Sequence, residues 1–219
     1  MTLDLDDAYM CDAVPAEVMD ALWSGGWRHF GRVFFRYSRQ HTADGEPQHI
    51  TPLRIDLKRW QPTKSQRRVL ARNADLRWEM EPTKLDDDLR AMFQRHKARF
   101  RENIPETLEN FLGEAPESGP CDCRMLRVFE GEMLLAASFL DVGQNAVSSV
   151  YAVFEPEAAR RSLGTFTMLL ELQFARESGF EFLYSGYATQ EPSAYDYKKQ
   201  FTGVEWLDFD TGAWRELPR

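Results

Sequence analysis

Ser148-Ser-Val-Tyr-Ala-Val-Phe-Glu-Pro-Glu-Ala-Ala-Arg-Arg-Ser-Leu-Gly-Thr-Phe-Thr-Met168 reads as a strand, a short turn and the start of a long helix. Val147, Val150, Tyr151, Val153 and Phe154 are the β-branched and aromatic residues of a buried strand. Pro156 ends it and pre-sets a helical φ. From Ala158 to Glu177 apolar residues recur at Leu163, Phe166, Leu170 and Phe174, and Leu169 and Leu172 widen the stripe. That spacing predicts a helix lying on a sheet. Arg160, Arg161, Ser162 and Gly164 stand at the joint, where free N–H groups of a helix start, two cations and a glycine suit a phosphate. The same pattern also describes an exposed first turn with solvated arginines.

Working outward, Arg124 to Phe129, Met133 to Asp141 and Ala146 to Phe154 read as consecutive antiparallel strands, with turns at Glu130-Gly131 and Gly143 to Asn145. Phe180 to Ser185 is a strand following the long helix, and Phe201 to Trp214 is a closing hairpin turned at Asp210-Thr-Gly212. Upstream, Thr83 is positioned to cap a helix through Phe100, with His96 as a packing residue. Pro105 to Leu112 is a short helix and Gly113 to Pro120 a loop. Strand–strand–strand–helix–strand resembles the acyltransferase fold that carries CoA-dependent N-acetylation. The expected class is α+β and GNAT-like: a central mixed or antiparallel sheet flanked by helices over residues 81–219, with a smaller N-terminal α/β region over 1–80.

In that N-terminal region, Pro15 to Trp23 is helical and is ended by Gly25-Gly26. Trp27 to Tyr37 reads as one strand with Arg28, Arg32 and Arg36 on a common face. Ser38 to His49 is a polar loop, and Ile50 to Leu57 a strand whose Pro52 argues for an edge. Residues 63–73 form a helix, opened by Thr63 with Gln66 in capping-box spacing. Lys64, Arg68 and Arg72 are spaced i, i+4, i+8, with Arg67 beside them. Like charges in such a row repel unless an anion compensates. From Arg54 to Arg77 eight basic residues face only Asp56 and Asp75, a net of +6, leaving −14 on the rest of a chain whose total is −8. A basic face on an acidic body fits a polyanion partner, although a helix with a solvated polar face accounts for the same residues.

Three motifs in order carry a resemblance. Tyr-x-x-Phe-x-Pro-x-x-x-x-Arg-Ser-Leu-Gly-Thr at Tyr151 to Thr165 resembles the C-terminal half of the aminoacyl-tRNA–protein transferases, the arginyltransferases and their bacterial leucyl-transferring relatives. Pro62 to Leu76 is similar to that family's Ser-Gln-Arg-Arg…Arg-Asn-x-Asp-Leu segment, and Tyr195 to Phe201 to its Tyr-Lys-x-x-Phe segment. Gly26-Trp-Arg-His-Phe-Gly31 agrees as well. The resemblance implies transfer of an amino acid, arginine or leucine, from aminoacyl-tRNA to the N-terminal amine of a protein or peptide beginning with Asp or Glu.

It implies roles too. Lys64, Arg67, Arg68 and Arg72 would hold tRNA together with Arg160, Arg161, Ser162 and Gly164. Asp141, Tyr187 and Lys198 are the candidate catalytic groups: Asp141 to orient or deprotonate the amine, Tyr187 to stack on the terminal adenine or donate to the leaving 3′-oxygen, Lys198 to meet a phosphate or carboxylate. Ser149, Tyr151 and Tyr195 are candidate substrate contacts, Tyr195 by stacking on the terminal adenine or by donating to the leaving 3′-oxygen. Arg36 and Arg54 would select an acidic acceptor by bidentate pairing. Asp141 as a turn-initiating residue, and the tyrosines as packing residues, are the plain alternatives.

The sequence departs from the family at the N-terminus, where a Cys-Pro-x-Cys element is replaced by Ser38 to His49 without a cysteine. Cys11 alone remains there; Cys121 and Cys123, separated by one residue in an expected loop, match no standard metal spacing. No metal or cofactor is therefore expected, aminoacyl-tRNA being a co-substrate. No apolar run approaches the roughly 20 residues of a membrane span, and the acidic Met1-Thr-Leu-Asp-Leu-Asp-Asp has no basic signal region. A cytoplasmic protein with neither membrane nor DNA partner is expected. An acyl-CoA N-acyltransferase is the main alternative: Arg161 to Gly164 fits half of a pyrophosphate loop, but Phe166 occupies its last small position. A non-protein acceptor and a non-catalytic tRNA-binding adaptor are the others.

Overall fold

The computed structural model describes residues 4–42, 44–100, 104–193 and 195–217; Met1 to Leu3, the start of the acidic N-terminal run, lie outside them. In chain order the elements are β1 (Asp6–Met10), α1 (Ala16–Ser24), β2 (Arg28–Phe30), β3 (Val33–Tyr37), β4 (Arg39–His41), β5 (Pro47–Asp56), α2 (Lys64–Arg72) and β6 (Arg77–Pro82). Then come α3 (Asp87–Lys97), α4 (Glu109–Leu112), β7 (Asp122–Glu130), β8 (Met133–Val142), β9 (Ala146–Phe154), α5 (Leu163–Glu177), β10 (Phe182–Thr189), β11 (Val204–Asp208) and β12 (Ala213–Glu216).

A sheet runs β12-β11-β5-β10-β9-β8-β7-β6, with β4 paired beside β5. All its pairs are antiparallel except β9 with β10, which α5 connects. α5 covers one face, where Leu169, Leu172 and Ala175 pack on Leu140, Val147, Leu183, Leu53 and Ile55. α2 adds Val69 and Leu70 to that layer. The opposite face carries α3 and α4, through Leu89, Phe93 and Leu112 against Met125 and Phe139. It also carries α1 and the small sheet β1-β3-β2, through Met19, Trp23 and Phe34. The β7-β8-β9 meander followed by α5 and β10 is as expected, and helices layer on both faces of the sheet.

Several boundaries differ from the sequence reading. The strand foreseen over Trp27 to Tyr37 is a hairpin, because Gly31 adopts φ +52° and reverses the chain. Arg28, Arg32 and Arg36 therefore do not share a strand face. The loop foreseen over Ser38 to His49 is also a hairpin, with Arg39 opposite His49 and His41 opposite Pro47. β5 is not at an edge: it lies between β10 and β11, and Pro52 falls in the gap between its pairings with β11 and β4. This strand from the first 80 residues thus completes the sheet of the remainder. Asp86, not Thr83, caps α3, accepting from Leu89 N at 2.8 Å; Thr83 Oγ1 instead donates to Cys123 Sγ. Cys123 is a buried strand residue rather than a loop residue. The helix foreseen from Ala158 begins at Leu163, after a 3₁₀ turn over Pro156–Arg161 and Ser162 at φ 56°. The capping box at Thr63 and Gln66 forms as the spacing requires.

Candidate functional site

β9 and β10 pair only from Ala146 to Ser148 against Phe182 to Tyr184, although both strands continue for several residues. Beyond Ser148 they part, and backbone groups facing the fork must find other partners. The chain supplies them from elsewhere. Arg28, at the start of β2, donates from one guanidinium nitrogen to Ser148 Oγ and from another to the Ser149 carbonyl. Lys198, in the 3₁₀ turn Asp196–Gln200, donates to the Tyr187 carbonyl at 3.2 Å on the other arm. The fork opens on a crevice lined by Trp23, Trp27, Pro52, Leu53, Gly186 and Tyr187.

Gly186 makes this convergence possible. It follows a bulge at Ser185, has φ +89°, and a Cβ there would lie 3.3 Å from Lys198 Nζ and 3.7 Å from Arg28 Cζ. Gly186→Ala is expected to strain the backbone by about 1–3 kcal/mol and to push both cations out of place. A lower Tm together with at least about a tenfold loss of turnover is the expected result; a variant with wild-type turnover would show that the cations need no such placement.

Glu171 enters the fork from α5 and is almost wholly buried. Burial raises its carboxyl to about 7, against the opposing pull of the Ser138 and Ser149 hydroxyls and of Lys198 and Arg28. Oε2 of Glu171 and Oγ of Ser138 make no regular hydrogen bond. Burial and the neighbouring Arg28 lower Lys198 to about 7, with Glu171 opposing. Two groups of opposite type are thus poised near neutrality in one dry place, the arrangement acid–base chemistry requires.

A second buried group adjoins this fork. His29 Nε2 lies 2.8 Å from Asp141 Oδ2, and His29 Nδ1 lies 2.8 Å from the Gly31 carbonyl. Burial disfavours the charged ring, but Asp141 outweighs it and holds His29 above its ordinary pKa. Cys121 Sγ is 3.8 Å from Nε2, and burial beside Asp141 pushes its thiol far up. Asp141 is opposite Ser148 across β8 and β9, which places the pair at the foot of the fork.

The expected site residues divide accordingly. Lys198, Ser149 and Asp141 come together around the fork. The Tyr187 hydroxyl donates to the Gly26 carbonyl at 2.7 Å, and Phe35 and Tyr37 pack edge-on against its ring. Tyr187 therefore clamps the N-terminal region and has no hydroxyl to offer a leaving group. Tyr151 stacks on Phe111 at 3.9 Å with its hydroxyl buried. Tyr195 is half-exposed, with Lys198 Nζ over its ring at 5.0 Å from the centroid. Arg36 is held by Asp7 at 2.7 Å, and Arg54 by Glu205 at 2.7 Å between the Phe182 and Trp214 rings. Both are already paired with a carboxylate of this chain.

On the other side of the molecule, Arg72 donates to the Arg160 carbonyl and joins α2 to the turn before α5. Lys64, Arg67, Arg68, Arg72 and Arg160 have no carboxylate partner among the described residues. Arg161 differs: Asp75 and Glu130 both pair with it. Gly164 also has another purpose than close approach of an anion, since a Cβ there would lie 3.3 Å from the Phe154 ring. Ser162 Oγ only receives a long contact from Arg72 and does not cap α5.

His29 and Glu171 were not singled out from the sequence, and Arg28 was read only as one of three arginines along a strand. Arg28 and His29 stood inside the Gly26 to Gly31 match, which was the available signal; Glu171 looked like an ordinary polar position of a helix.

A family model described as "Arginine-tRNA-protein transferase, C terminus" matches residues 89–208. A protein of Stenotrophomonas maltophilia K279a named "Aspartate/glutamate leucyltransferase" is 33% identical over 202 residues, covering 85% of this chain and 78% of that one. One of the same name from Marinobacter nauticus is 31% identical over 191 residues, covering 86% and 78%. Among solved structures, L-PGS from Bacillus licheniformis superposes with a TM-score of 0.50 at 13% identity, over 85% of this chain. The C-terminal domain of a putative lysylphosphatidylglycerol synthetase from Agrobacterium fabrum gives 0.51 at 16% identity, over 83%. The chain spans about half the length of these two structures, 54% of each. They show the fold, which is the GNAT-like acyltransferase type expected from the order of elements.

Proposed function

The chain belongs to the aminoacyl-tRNA–protein transferase family, and from that membership and the site geometry we propose that it moves leucine from leucyl-tRNA to the N-terminal amine of a protein or peptide beginning with Asp or Glu. The leucyl group and the Asp or Glu acceptor residue are those in the names of its relatives. The compartment consistent with charged tRNA is the cytoplasm, and no helix among the described residues is long and apolar enough to cross a membrane.

The observation that carries the chemistry is the buried Glu171 beside Lys198 and Arg28 where β9 and β10 part. An α-ammonium has a pKa of about 7.7–8.0 and must lose a proton to attack. Glu171, near 7, is the general base. The amine nitrogen forms a bond to the ester carbonyl carbon, the bond from that carbon to the 3′-oxygen breaks, and the departing oxygen takes up a proton. Positive charge from Arg28 and Lys198 stabilises the oxyanion between the two steps. Tyr195 takes the terminal adenine, since its ring alone among the expected tyrosines is open. This gives Asp141 a supporting place beside His29 and leaves proton removal to Glu171.

The body of the tRNA lies along α2 and Arg160. Removing one phosphate-binding cation lowers the slope of log affinity against log salt by about 0.7–0.9. Replacing Lys64, Arg68 and Arg160 together with Ala is therefore expected to flatten that slope by about 2–3, leaving the fold intact because none of the three is buried. The Arg161→Ala variant should change it little. Equal slopes for the triple variant and the wild type would place the tRNA elsewhere. Incubation with leucyl- or arginyl-tRNA and peptides beginning with Asp, Glu or Ala tests the reaction itself. Label passing from leucyl-tRNA to acidic N-termini supports it; label from acetyl-CoA alone would overturn it.

A further inference from the structure

The contact between His29 and Asp141 poses a problem of hydrogen-bond direction. Nδ1 of His29 faces the Gly31 carbonyl at 2.8 Å. A carbonyl only accepts, so Nδ1 carries the ring proton. In a neutral imidazole this leaves a lone pair on Nε2, aimed at a carboxylate oxygen 2.8 Å away. Two acceptors in contact need a positive charge between them, either a second proton or a metal ion. A third donor atom makes the metal ion the better fit: Cys121 Sγ is 3.8 Å from the same Nε2, and the three donor atoms lie within 4.8 Å of one another.

We propose that His29, Cys121 and Asp141 form a binding site for a divalent cation of the zinc class. Nitrogen, thiolate sulfur and carboxylate oxygen are the three ligand types zinc accepts, and bond lengths of about 2.0–2.3 Å in a tetrahedron separate donors by about 3.3–3.6 Å. The gaps of 2.8 Å and 3.8 Å bracket that spacing, and the third, from Cys121 Sγ to the Asp141 carboxylate, is within 4.8 Å, so shifts of up to about 1 Å close the site. The Gly31 carbonyl supplies the outer-shell contact that fixes the tautomer of a ligating histidine. His29 and Asp141 are buried and Cys121 is half-buried. The ligands come from three separate segments: Gly31 turns the chain after His29, and the cross-strand pairing of β7 with β8 brings the strand after Cys121 beside Asp141. A cation here would pin the N-terminal hairpin to the central sheet. This site stands independently of the transfer reaction proposed above.

The test uses the full chain produced with zinc in the medium, freed of loosely bound ions and assayed for metal content. The chelated protein is then titrated with cobalt(II), whose thiolate charge-transfer absorption reports sulfur ligation. Near-stoichiometric zinc is expected, with a sulfur-to-cobalt band in the wild type. In Cys121→Ser the band is absent and cobalt affinity falls by more than the roughly 10–100-fold typical of outer-shell changes. Circular dichroism of the metal-free variant separates loss of a ligand from loss of the fold, and the wild-type band decides the matter if the variant does not fold. Absence of both zinc and the band would assign the charge between His29 and Asp141 to a proton and overturn the proposal, as would a band unchanged in Cys121→Ser.

Discussion

Glu171→Gln is expected to abolish most transfer activity while making the protein more stable in alkaline solution. The two effects share one cause. The folded-state value of about 7 lies above the ordinary 4.5, because ionising a carboxyl inside the fork forfeits its hydration. Between those values the folded protein holds a proton that the unfolded chain has released. Stability therefore falls as pH rises through that window, and above pH 7 the whole penalty is present. It is on the order of 3 kcal/mol. Glutamine removes it, so the variant should unfold at a Tm higher by roughly 5–10 °C at pH 8 and match the wild type near pH 4. Turnover should drop by about 10²–10⁴-fold, and the rise in rate through pH 7 should disappear. Thermal melts at the two pH values and a pH–rate profile check this directly. A variant that stays active, or that gains nothing at pH 8, removes Glu171 from its role as base.

Arg28→Ala should damage both the fold and the reaction. The guanidinium reaches Ser148 Oγ and the Ser149 carbonyl, and its charge faces Asp141 and Glu171. Burial itself lowers its pKa, so it is held there at a cost that the carboxylates offset. Without it, Asp141 keeps only His29 and Glu171 only Lys198 as an opposing charge, and one arm of the fork loses its donor. A loss of about 3–5 kcal/mol is expected, measured by urea unfolding. Because Arg28 helps to hold Glu171 down, any residual activity should show its rise in rate displaced above pH 7. Arg28→Lys separates charge from shape. A lysine restores the positive charge but not the planar fork that contacts a hydroxyl and a carbonyl together. It should therefore recover part of the stability and little of the rate. Full recovery of rate by lysine would reduce the role of Arg28 to simple electrostatics.

Much of the fold was legible along the chain because the signals are local. The β7-β8-β9 meander shows as alternating apolar runs broken by Glu130-Gly131 and by Gly143 to Asn145, and its strands form within a few residues of the expected limits. The capping box at Thr63 is likewise a matter of residues three apart. Failures occurred where one residue changed the chain's direction. Gly31 at positive φ turned an expected strand into a hairpin, and Ser162 at positive φ delayed the start of α5. The position of β5 was not legible, since pairing across more than a hundred residues leaves no pattern in either strand.

The sequence by itself determined the family, the succession β7-β8-β9-α5-β10 and the basic character of α2, all of which rest on residue type and spacing. Tertiary structure alone decided which ionisable groups meet. Arg28, Glu171 and Lys198 come from a hairpin, a helix and a late turn, and converge only because β9 and β10 separate beyond Ser148. Arg36, Arg54 and Arg161 looked equally available in sequence, yet each is matched by a carboxylate brought from another part of the chain. The physical reason is that a side chain's charge state and freedom depend on its burial and neighbours, and those are properties of the packed molecule.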